Sequence, residues 1–243
     1  MPVKTGHLGP DTNPISRPGH RPEGGPSTDS VFTARENQAQ TDVRDPRRNV
    51  EINIGHACNN RCVFCMDGLP KAEDRAYLGR AAALREIDLF AAAGHRSLGF
   101  LGGEPTTWRW LPDAIRHARA AGFTRISLCT NATRMRLPHY TETVISAGLT
   151  RVTVSMHAHT ARLEDALTRV PGNFDKKVAA LKLLVAARDA GRLPDGLSVN
   201  IVLNGWNARH LPRIVRFFFE QIGVDFDIYF NTNGHLGYCS KCN

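Results

Sequence analysis

The placement of glycines after helical stretches constrains the fold of this chain more than any other sequence feature. Four helical stretches end in a glycine, "AAG" at Gly94 and at Gly122, "SAG" at Gly148 and "QIG" at Gly223. Glycine is favoured just beyond a helix because it adopts left-handed backbone conformations at little cost. An apolar strand-like run begins a few residues after each glycine. This alternation predicts a parallel β-sheet with helical crossovers, an α/β fold.

Six strands can be counted after residue 48. The pattern predicts one helix over 73–94 and a long helix within 173–191. The alternation by itself fits an open doubly wound sheet as well as a whole or partial barrel. The predicted strands are NVEINIG, SLGFL, RISLCTN, RVTVSMH, LSVNIVLN and DFDIYFN.

The two ends of the chain differ from this central repeat. Residues 1–47 carry six prolines within their first 26 positions and no apolar periodicity, which predicts a disordered Pro/Gly-rich arm. Residues 48–231 form the predicted core domain, and 232–243 form a tail with a Cys-x-x-Cys pair. No apolar run approaches the roughly 20 residues of a membrane span. We therefore expect a cytoplasmic protein without a membrane partner.

The chain is basic, with a formal net charge of +8 at pH 7. Basic proteins often bind nucleic acids or other polyanions when their positive charge is clustered. Here the charges are scattered, with no long Lys/Arg run, so we expect no nucleic-acid partner. Two interpretations stay open, a generally basic surface and a pocket that tolerates anions.

Polar residues and glycines gather just beyond the predicted strands. In parallel α/β folds, ligands bind at the carboxyl ends of the strands. Six separate segments are therefore expected to direct functional groups to one rim of the sheet. These residues are Cys58 to Cys65, Gly102 to Glu104, Thr130 and Asn131, Ser155 and His157, Asn204, and Asn231.

Three cysteines, Cys58, Cys62 and Cys65, lie within eight residues in the sequence CNNRCVFC. Thiolates are soft ligands that suit zinc and iron–sulfur clusters, and both kinds of closed site normally take four protein ligands. Three thiolates on one loop would leave one iron of a cluster open to a substrate or cofactor. The alternative is a zinc site with a distant fourth ligand such as Cys129, Cys239 or His56.

The sequence GGEPT follows the second predicted strand, at Gly102 to Thr106. Two glycines allow the backbone to approach a ligand closely. Their carbonyls are able to accept hydrogen bonds from a ligand ammonium, and the carboxylate of Glu104 would complement its positive charge. One strand–helix unit after the cysteine loop, this turn favours a ligand with an ammonium group. The alternative is a tight strand-to-helix turn with an exposed acid.

Together these motifs resemble those of the radical S-adenosylmethionine (radical SAM) superfamily. The matching segments are CNNRCVFC at 58–65, GGEPT at 102–106, TNA at 130–132, VSMH at 154–157 and VNIVLN at 199–204. The resemblance covers about residues 48–231 and implies a partial (β/α)6 TIM-like barrel. It implies that the three cysteines hold a [4Fe–4S] cluster whose fourth iron binds S-adenosylmethionine. It further implies reductive cleavage to a 5′-deoxyadenosyl radical, which abstracts hydrogen from a substrate.

The resemblance also implies cofactor-binding roles for eight residues. They are Phe64 beside the adenine, Gly102, Gly103 and Glu104 at the methionine ammonium, Asn131 at the rim, Ser155 near the ribose or carboxylate, and Asn200 and Val202 bordering the adenine. The expected partners are an external electron donor of the flavodoxin or ferredoxin type and a substrate, either a peptide or a small molecule. The competing hypothesis is a non-catalytic iron–sulfur or zinc-binding module.

Some residues are candidates for substrate recognition, although no catalytic residue is identified. His157 and His159 follow the fourth predicted strand and suit a general base or a hydrogen-bond donor, or else cap the next helix. Arg134 and Arg136 suit a carboxylate or phosphate, or else face solvent. Tyr229 and Asn231 are expected to be rim residues, and Cys129 a small core residue. Three interpretations stay open for Cys239 and Cys242: a reducible thiol pair, half of a site that a partner completes, or the end of a truncated product.

Overall fold

The computed structural model describes residues 49–65 and 76–230, and within 226–230 only the backbone. The predicted arm over 1–47, the rim residue Asn231 and the tail over 232–243 lie outside the described residues. Within the described part, no helix is long and apolar enough to cross a membrane. The strands are β1 (Asn49–Asn53), β2 (Ser97–Leu101), β3 (Arg125–Thr130), β4 (Arg151–Ser155), β5 (Gly196–Leu203) and β6 (Asp225–Phe230).

Helices connect each strand to the next. Short 3-10 turns occur at Pro105–Thr107 and Ala208–His210, and α6 continues into a π-helical turn at Phe217–Ile222. The α-helices are α1 (Arg80–Ala92), α2 (Leu111–Ala120), α3 (Pro138–Ser146), α4 (Ala161–Thr168), α5 (Asn173–Asp189) and α6 (Leu211–Arg216).

The six strands form one sheet in the order β1-β2-β3-β4-β5-β6. Every pairing between neighbouring strands is parallel. Parallel strands need crossover connections, and the helices supply them. The α/β fold predicted from the glycine-terminated repeat is therefore confirmed.

The two faces of the sheet differ in chemistry because successive side chains of a strand point to opposite faces. The outer face packs against the helices and is apolar, with Ile52, Phe100, Leu128, Val154 and Val199 almost completely buried. This face forms the main core.

The inner face is polar and borders a cavity of about 530 Å³ near the amino ends of the strands. We call this cavity the lower chamber. TIM-barrel interiors are usually filled by branched apolar side chains. Here the lining includes Asn49, Glu51, Gly99, Ser127, Arg151 and Asn200. Among the described residues, the inner face of the sheet therefore borders largely polar space.

The start of α1 differs from the sequence prediction, which placed a helix over 73–94. Of that range, 73–75 lie outside the described residues, and the helix begins at Arg80. Tyr77 instead forms an antiparallel bridge with Gly55, and the Leu78 amide donates to the Ile54 carbonyl at 2.7 Å. These bonds to the end of β1 hold the segment before Arg80 in a non-helical conformation, which helical periodicity alone does not reveal.

Candidate functional site

The cysteine loop follows β1 and is fixed by backbone hydrogen bonds to the end of α4. The amide of Arg61 donates to the Thr168 carbonyl at 3.0 Å, and the amide of Val63 donates to the Leu167 carbonyl at 2.9 Å. Val63 and Leu167 also belong to a small buried apolar cluster beneath the loop. The loop that carries the three cysteines is therefore anchored to the domain at its centre.

All three cysteines of the loop line one cavity at the carboxyl ends of the strands, which we call the strand-end cavity. None of them forms a disulfide. Burial raises the pKa of the Cys58 thiol to about 11 and that of Cys62 to about 12. The amide of Asn60 donates to the Cys58 sulfur at 3.3 Å, which favours the thiolate. A bound cation would be needed to make the buried thiolates the stable form.

The loop after β2 docks directly on the cysteine loop. The amide of Gly103 donates to the Gly55 carbonyl at 2.7 Å, and that of Glu104 donates to the Ala57 carbonyl at 2.9 Å. A Cβ atom added at Gly103 would lie 2.3 Å from the Ala57 oxygen, and one at Gly102 would lie 2.7 Å from the Gly55 oxygen. Both glycines are thus required by close packing of two backbones, and both also line the strand-end cavity.

Glu104 is 1% exposed and accepts four hydrogen bonds from neutral groups. Its Oε1 accepts from the amide and hydroxyl of Thr106 at 2.9 and 2.6 Å and from the hydroxyl of Thr130 at 2.5 Å. Its Oε2 accepts from the Asn131 amide at 2.6 Å. Among the described residues no cation pairs with this carboxylate at salt-bridge distance. Because it lines the cavity, its charge is available to a cationic ligand group.

Phe64, His157 and Val202 form one connected wall of the strand-end cavity. The rings of Phe64 and His157 meet edge to face with centroids 4.4 Å apart, and His157 Nδ1 accepts from the Val202 amide at 3.0 Å. Burial, followed by the positive charge of Lys177, holds the pKa of His157 well below its usual value of 6.5. With Nδ1 accepting, the neutral ring carries its proton on Nε2. His157 therefore fixes the wall, a role different from helix capping.

A buried ion pair lies at the same cavity. Lys177 of α5 donates to Glu164 Oε1 of α4 at 2.6 Å and to the Ser155 carbonyl at 2.8 Å. The other oxygen of Glu164 accepts from the His157 amide at 2.8 Å. The side chains of Lys177 and Glu164 are 1% and 0% exposed.

The structure brings ten of the eleven predicted site residues to the strand-end cavity. Asn200 is the exception, because it lines the lower chamber, where its buried Oδ1 has no hydrogen-bond partner. Asn200 and Val202 lie two positions apart on one strand and so point to the same face at different heights. Besides the three cysteines, the ten comprise Phe64, Gly102, Gly103, Glu104, Asn131, Ser155 and Val202.

The substrate candidates outside this wall have other surroundings. Arg134 donates to the Thr106 carbonyl at 2.9 Å and lies over the Tyr140 ring at 4.3 Å, so it supports the loop after β2. His159 lies beside His210, with ring centroids 5.6 Å apart. Arg136 lines a separate shallow surface pocket. Cys129 is on the inner face, 4.0 Å from the Ser155 hydroxyl, rather than in the apolar core.

Sequence reasoning missed Glu164 and Lys177. A signal was available for one of them. Lys177 follows the buried Asn173 by one helical turn and precedes Ala180 and Leu181 on the buried face of α5. A lysine at such a position normally requires a buried partner. The sequence did not identify that partner, because Glu164 belongs to a different helix.

The family of the chain follows from comparison with known proteins. Residues 52–218 match the model of the radical SAM superfamily. The chain belongs to the radical SAM superfamily. A probable GTP 3′,8-cyclase of Metallosphaera sedula is 31% identical over 185 residues, covering 74% of this chain and 54% of the relative. A GTP 3′,8-cyclase of Marinobacter nauticus is 29% identical over 185 residues, covering 73% and 52%.

Solved radical SAM structures share the fold. Streptococcus suis SuiB, solved bound to its precursor peptide SuiA, superposes with a TM-score of 0.61 at 17% identity, covering 91% of this chain and 49% of SuiB. Native anSMEcpe with bound AdoMet gives 0.61 at 16% identity, covering 75% and 52%. The predicted partial TIM-like barrel is confirmed. The chain spans about half the length of the curated relatives it matches.

The strand-end cavity fits the cofactors of the superfamily, a [4Fe–4S] cluster and S-adenosylmethionine. Among residues 49–65 and 76–230, no three His, Cys, Asp or Glu side chains converge to hold a single metal ion. A cluster takes each thiolate at a separate iron, so its ligands need not converge on one point. The unpaired carboxylate of Glu104 in the same cavity suits the ammonium group of S-adenosylmethionine. Three thiols on one loop and a carboxylate in the same cavity are a donor set that suits the cluster and S-adenosylmethionine.

Proposed function

We propose that this radical SAM enzyme reductively cleaves S-adenosylmethionine and uses the resulting 5′-deoxyadenosyl radical to abstract hydrogen from a substrate. Cys58, Cys62 and Cys65 would hold the cluster, which supplies the electron for cleavage. The chain itself would bind and orient the cofactor. The supporting observation is one cavity that contains three thiols and a buried carboxylate without a cationic partner.

Each remaining wall residue has a proposed task. Glu104 would bind the methionine ammonium, and the ring of Phe64 would pack beside the adenine. His157 would hold Phe64 in place and keep Val202 at its position, while Asn131 and Ser155 would offer polar contacts. Apolar contacts on one side and fixed polar groups on the other exclude water from a reactive site.

The direct test is anaerobic reconstitution with iron and sulfide, followed by addition of S-adenosylmethionine and dithionite. We expect 5′-deoxyadenosine and methionine in equal amounts, measured by liquid chromatography with mass spectrometry. Cys62→Ala should abolish both the cluster and the product. Cys129→Ala is the matched control, because Cys129 lines the same cavity outside the three-cysteine motif. If wild type yields no more product than Cys62→Ala, the proposal fails and a non-catalytic iron–sulfur module takes its place.

For the substrate, we propose a small polar molecule with an anionic group, such as a nucleotide. Two observations support this. The lower chamber carries Arg125 and Arg151 beneath the strand-end cavity, and the two cavities share Leu101 and Cys129 as lining residues. The sequence relatives named above are GTP 3′,8-cyclases. A guanidinium pairs with phosphate or carboxylate through two hydrogen bonds.

The substrate proposal is tested by the rate of 5′-deoxyadenosine formation with added candidates. We expect GTP or another nucleoside triphosphate to raise the rate above that without substrate, and Arg125→Gln to weaken this response. Peptides form the second arm of the same experiment. Stimulation by a peptide, with no response to nucleotides, would overturn the small-molecule assignment and leave the radical chemistry intact.

The chemistry requires a one-electron donor, and we propose a small flavodoxin or ferredoxin for that role. We also propose a cytoplasmic location, because iron–sulfur clusters and free thiols persist in reducing compartments. Replacement of dithionite by reduced flavodoxin should sustain turnover. If neither reduced flavodoxin nor reduced ferredoxin sustains turnover while dithionite does, the electron donor is of a different kind.

A further inference from the structure

The ion pair between Glu164 and Lys177 is among the most deeply buried charged groups described in the molecule. Relative exposure is 0% for both residues. Removal of two charges from water is costly, and a buried pair is weak evidence of a stabilising interaction. Hydrophobic residues of similar volume often serve stability equally well. Stability alone therefore does not explain why an ion pair lies at this position, and we look for its function in the cavity beside it.

The two charges of the pair are not equivalent with respect to the strand-end cavity. Lys177 lines that cavity together with the three cysteines, whereas Glu164 is not among its lining residues. An ammonium group has three N–H donors. The described residues supply acceptors for two of them, the Glu164 carboxylate and the Ser155 carbonyl. Lys177 is therefore the charged member of the pair that borders the cavity.

Glu164 holds this ammonium in place. One of its oxygens accepts from Lys177 and the other from the His157 amide, so the carboxylate is tied to both α5 and the end of β4. Bonded at both oxygens, Glu164 fixes the lysine from the side away from the cavity. A lysine side chain in water would sample many rotamers, whereas the hydrogen bonds to Glu164 and Ser155 hold the Lys177 ammonium in one position.

A positive charge at this point favours an electron on a nearby cluster. Three thiolates around a [4Fe–4S]²⁺ core give a net charge of −1, and one-electron reduction makes it −2. Because Lys177 lines the cavity and Glu164 does not, the positive end of the pair lies toward the cavity, and in a low-dielectric site that end stabilises the more negative state. We propose that Lys177, positioned by Glu164, raises the reduction potential of the cluster held by Cys58, Cys62 and Cys65. Lys177 is thus a positioning residue that acts through the cluster, and this role rests on the proposed function.

The test is a redox titration of the reconstituted full chain without S-adenosylmethionine, followed by electron paramagnetic resonance (EPR) of the reduced cluster. Lys177→Met alone leaves Glu164 buried and unpaired, so the decisive variant is Glu164→Gln combined with Lys177→Met. The pair of substitutions removes both charges and keeps the side-chain volumes. Lys177→Arg tests rescue by retained charge, and Lys182→Met removes an exposed lysine of the same helix as the control.

We expect the double variant to bind wild-type amounts of iron and sulfide and to have a more negative midpoint potential. A tenfold fall in the equilibrium constant for one-electron reduction corresponds to about 59 mV. Lys177→Arg and Lys182→Met should titrate close to wild type. A double variant with a full cluster and the wild-type potential would overturn the proposal and leave the pair a packing role. If wild type itself takes up no cluster, the proposed function fails instead.

Discussion

Glu104 and Glu164 are two carboxylates buried to the same degree but satisfied in different ways. Glu104, after β2, accepts hydrogen bonds from two hydroxyls and two amides. Glu164, on α4, shares its charge with Lys177 at 2.6 Å. Glu104 itself lines the strand-end cavity, whereas in the Glu164–Lys177 pair the lysine lines it.

The difference indicates how the cavity distributes charge. On one side a carboxylate is left without a cation, where a cationic ligand group would complete it. On the other side Lys177 lines the cavity together with the three cysteines. A buried carboxylate needs compensation, which four hydrogen bonds give to Glu104 and an ion pair gives to Glu164.

Loss of the lysine should produce the largest change in stability. Lys177→Met leaves Glu164 buried without a counter-ion, and breaking a buried pair costs about 3–5 kcal/mol. The free energy of unfolding, measured by urea titration, should fall by that amount. Glu164→Gln with Lys177→Met should recover most of the loss, because neither charge remains. A single variant as stable as wild type would contradict the assignment of this pair as buried and charged.

Glu104→Gln should act mainly on cofactor binding. The amide retains oxygen acceptance but removes the charge, and a hydrogen bond to a charged group contributes about 1.5–3 kcal/mol. We expect the affinity for S-adenosylmethionine, measured by equilibrium dialysis on the reconstituted protein, to fall about 10- to 100-fold. Iron content should stay at the wild-type level. Unchanged affinity would remove Glu104 from the cofactor site.

His157 should make stability depend on pH below its usual pKa. Its folded pKa is lowered by burial and then by Lys177, so the unfolded chain binds a proton first as the pH falls below about 6.5. Stability is thus fully present above pH 6.5 and declines below it. Between pH 7 and 5.5, wild type should lose about 1 kcal/mol more than His157→Asn. Parallel pH profiles would mean that folding does not change the pKa of His157.

The smallest effect is expected at an exposed cluster of charges between α1 and α2. Asp113 pairs with Arg80 at 2.6 Å and with Arg116 at 3.0 Å, and these hydrogen bonds lower its pKa. Water screens such pairs, so Asp113→Asn should change the free energy of unfolding by less than about 1 kcal/mol. A loss of stability as large as that of Lys177→Met would show that burial does not explain the difference between this exposed ion pair and the buried one.

Much of the fold could be predicted from sequence because strands and helices carry local signals. The apolar runs and the glycines after helices identified all six strands. The beginning of α1 could not be predicted, because it depends on the bridge between Tyr77 and Gly55, which are far apart in the sequence. The short helix α4 was not predicted, since the sequence analysis placed a helix in this part of the chain only within 173–191.

The candidate site was predictable where residues follow the ends of strands, and less so elsewhere. The cysteine loop and Glu104 could be placed at one rim from topology alone. The close packing of Gly103 on the Ala57 carbonyl could not be predicted, since it depends on the contact between two loops that are far apart in the sequence. Glu164 and Lys177 meet only through the packing of α4 on α5, which no local pattern encodes.

The most direct test of the account is EPR of the reduced, reconstituted protein before and after addition of S-adenosylmethionine. The central claim is that the three-cysteine loop holds a cluster with one iron open to the cofactor. The test uses the Cys239→Ser, Cys242→Ser variant, so that any signal comes from the loop. The account predicts a cluster signal that changes shape when S-adenosylmethionine is added. A full-intensity signal that is identical with and without the cofactor would contradict it.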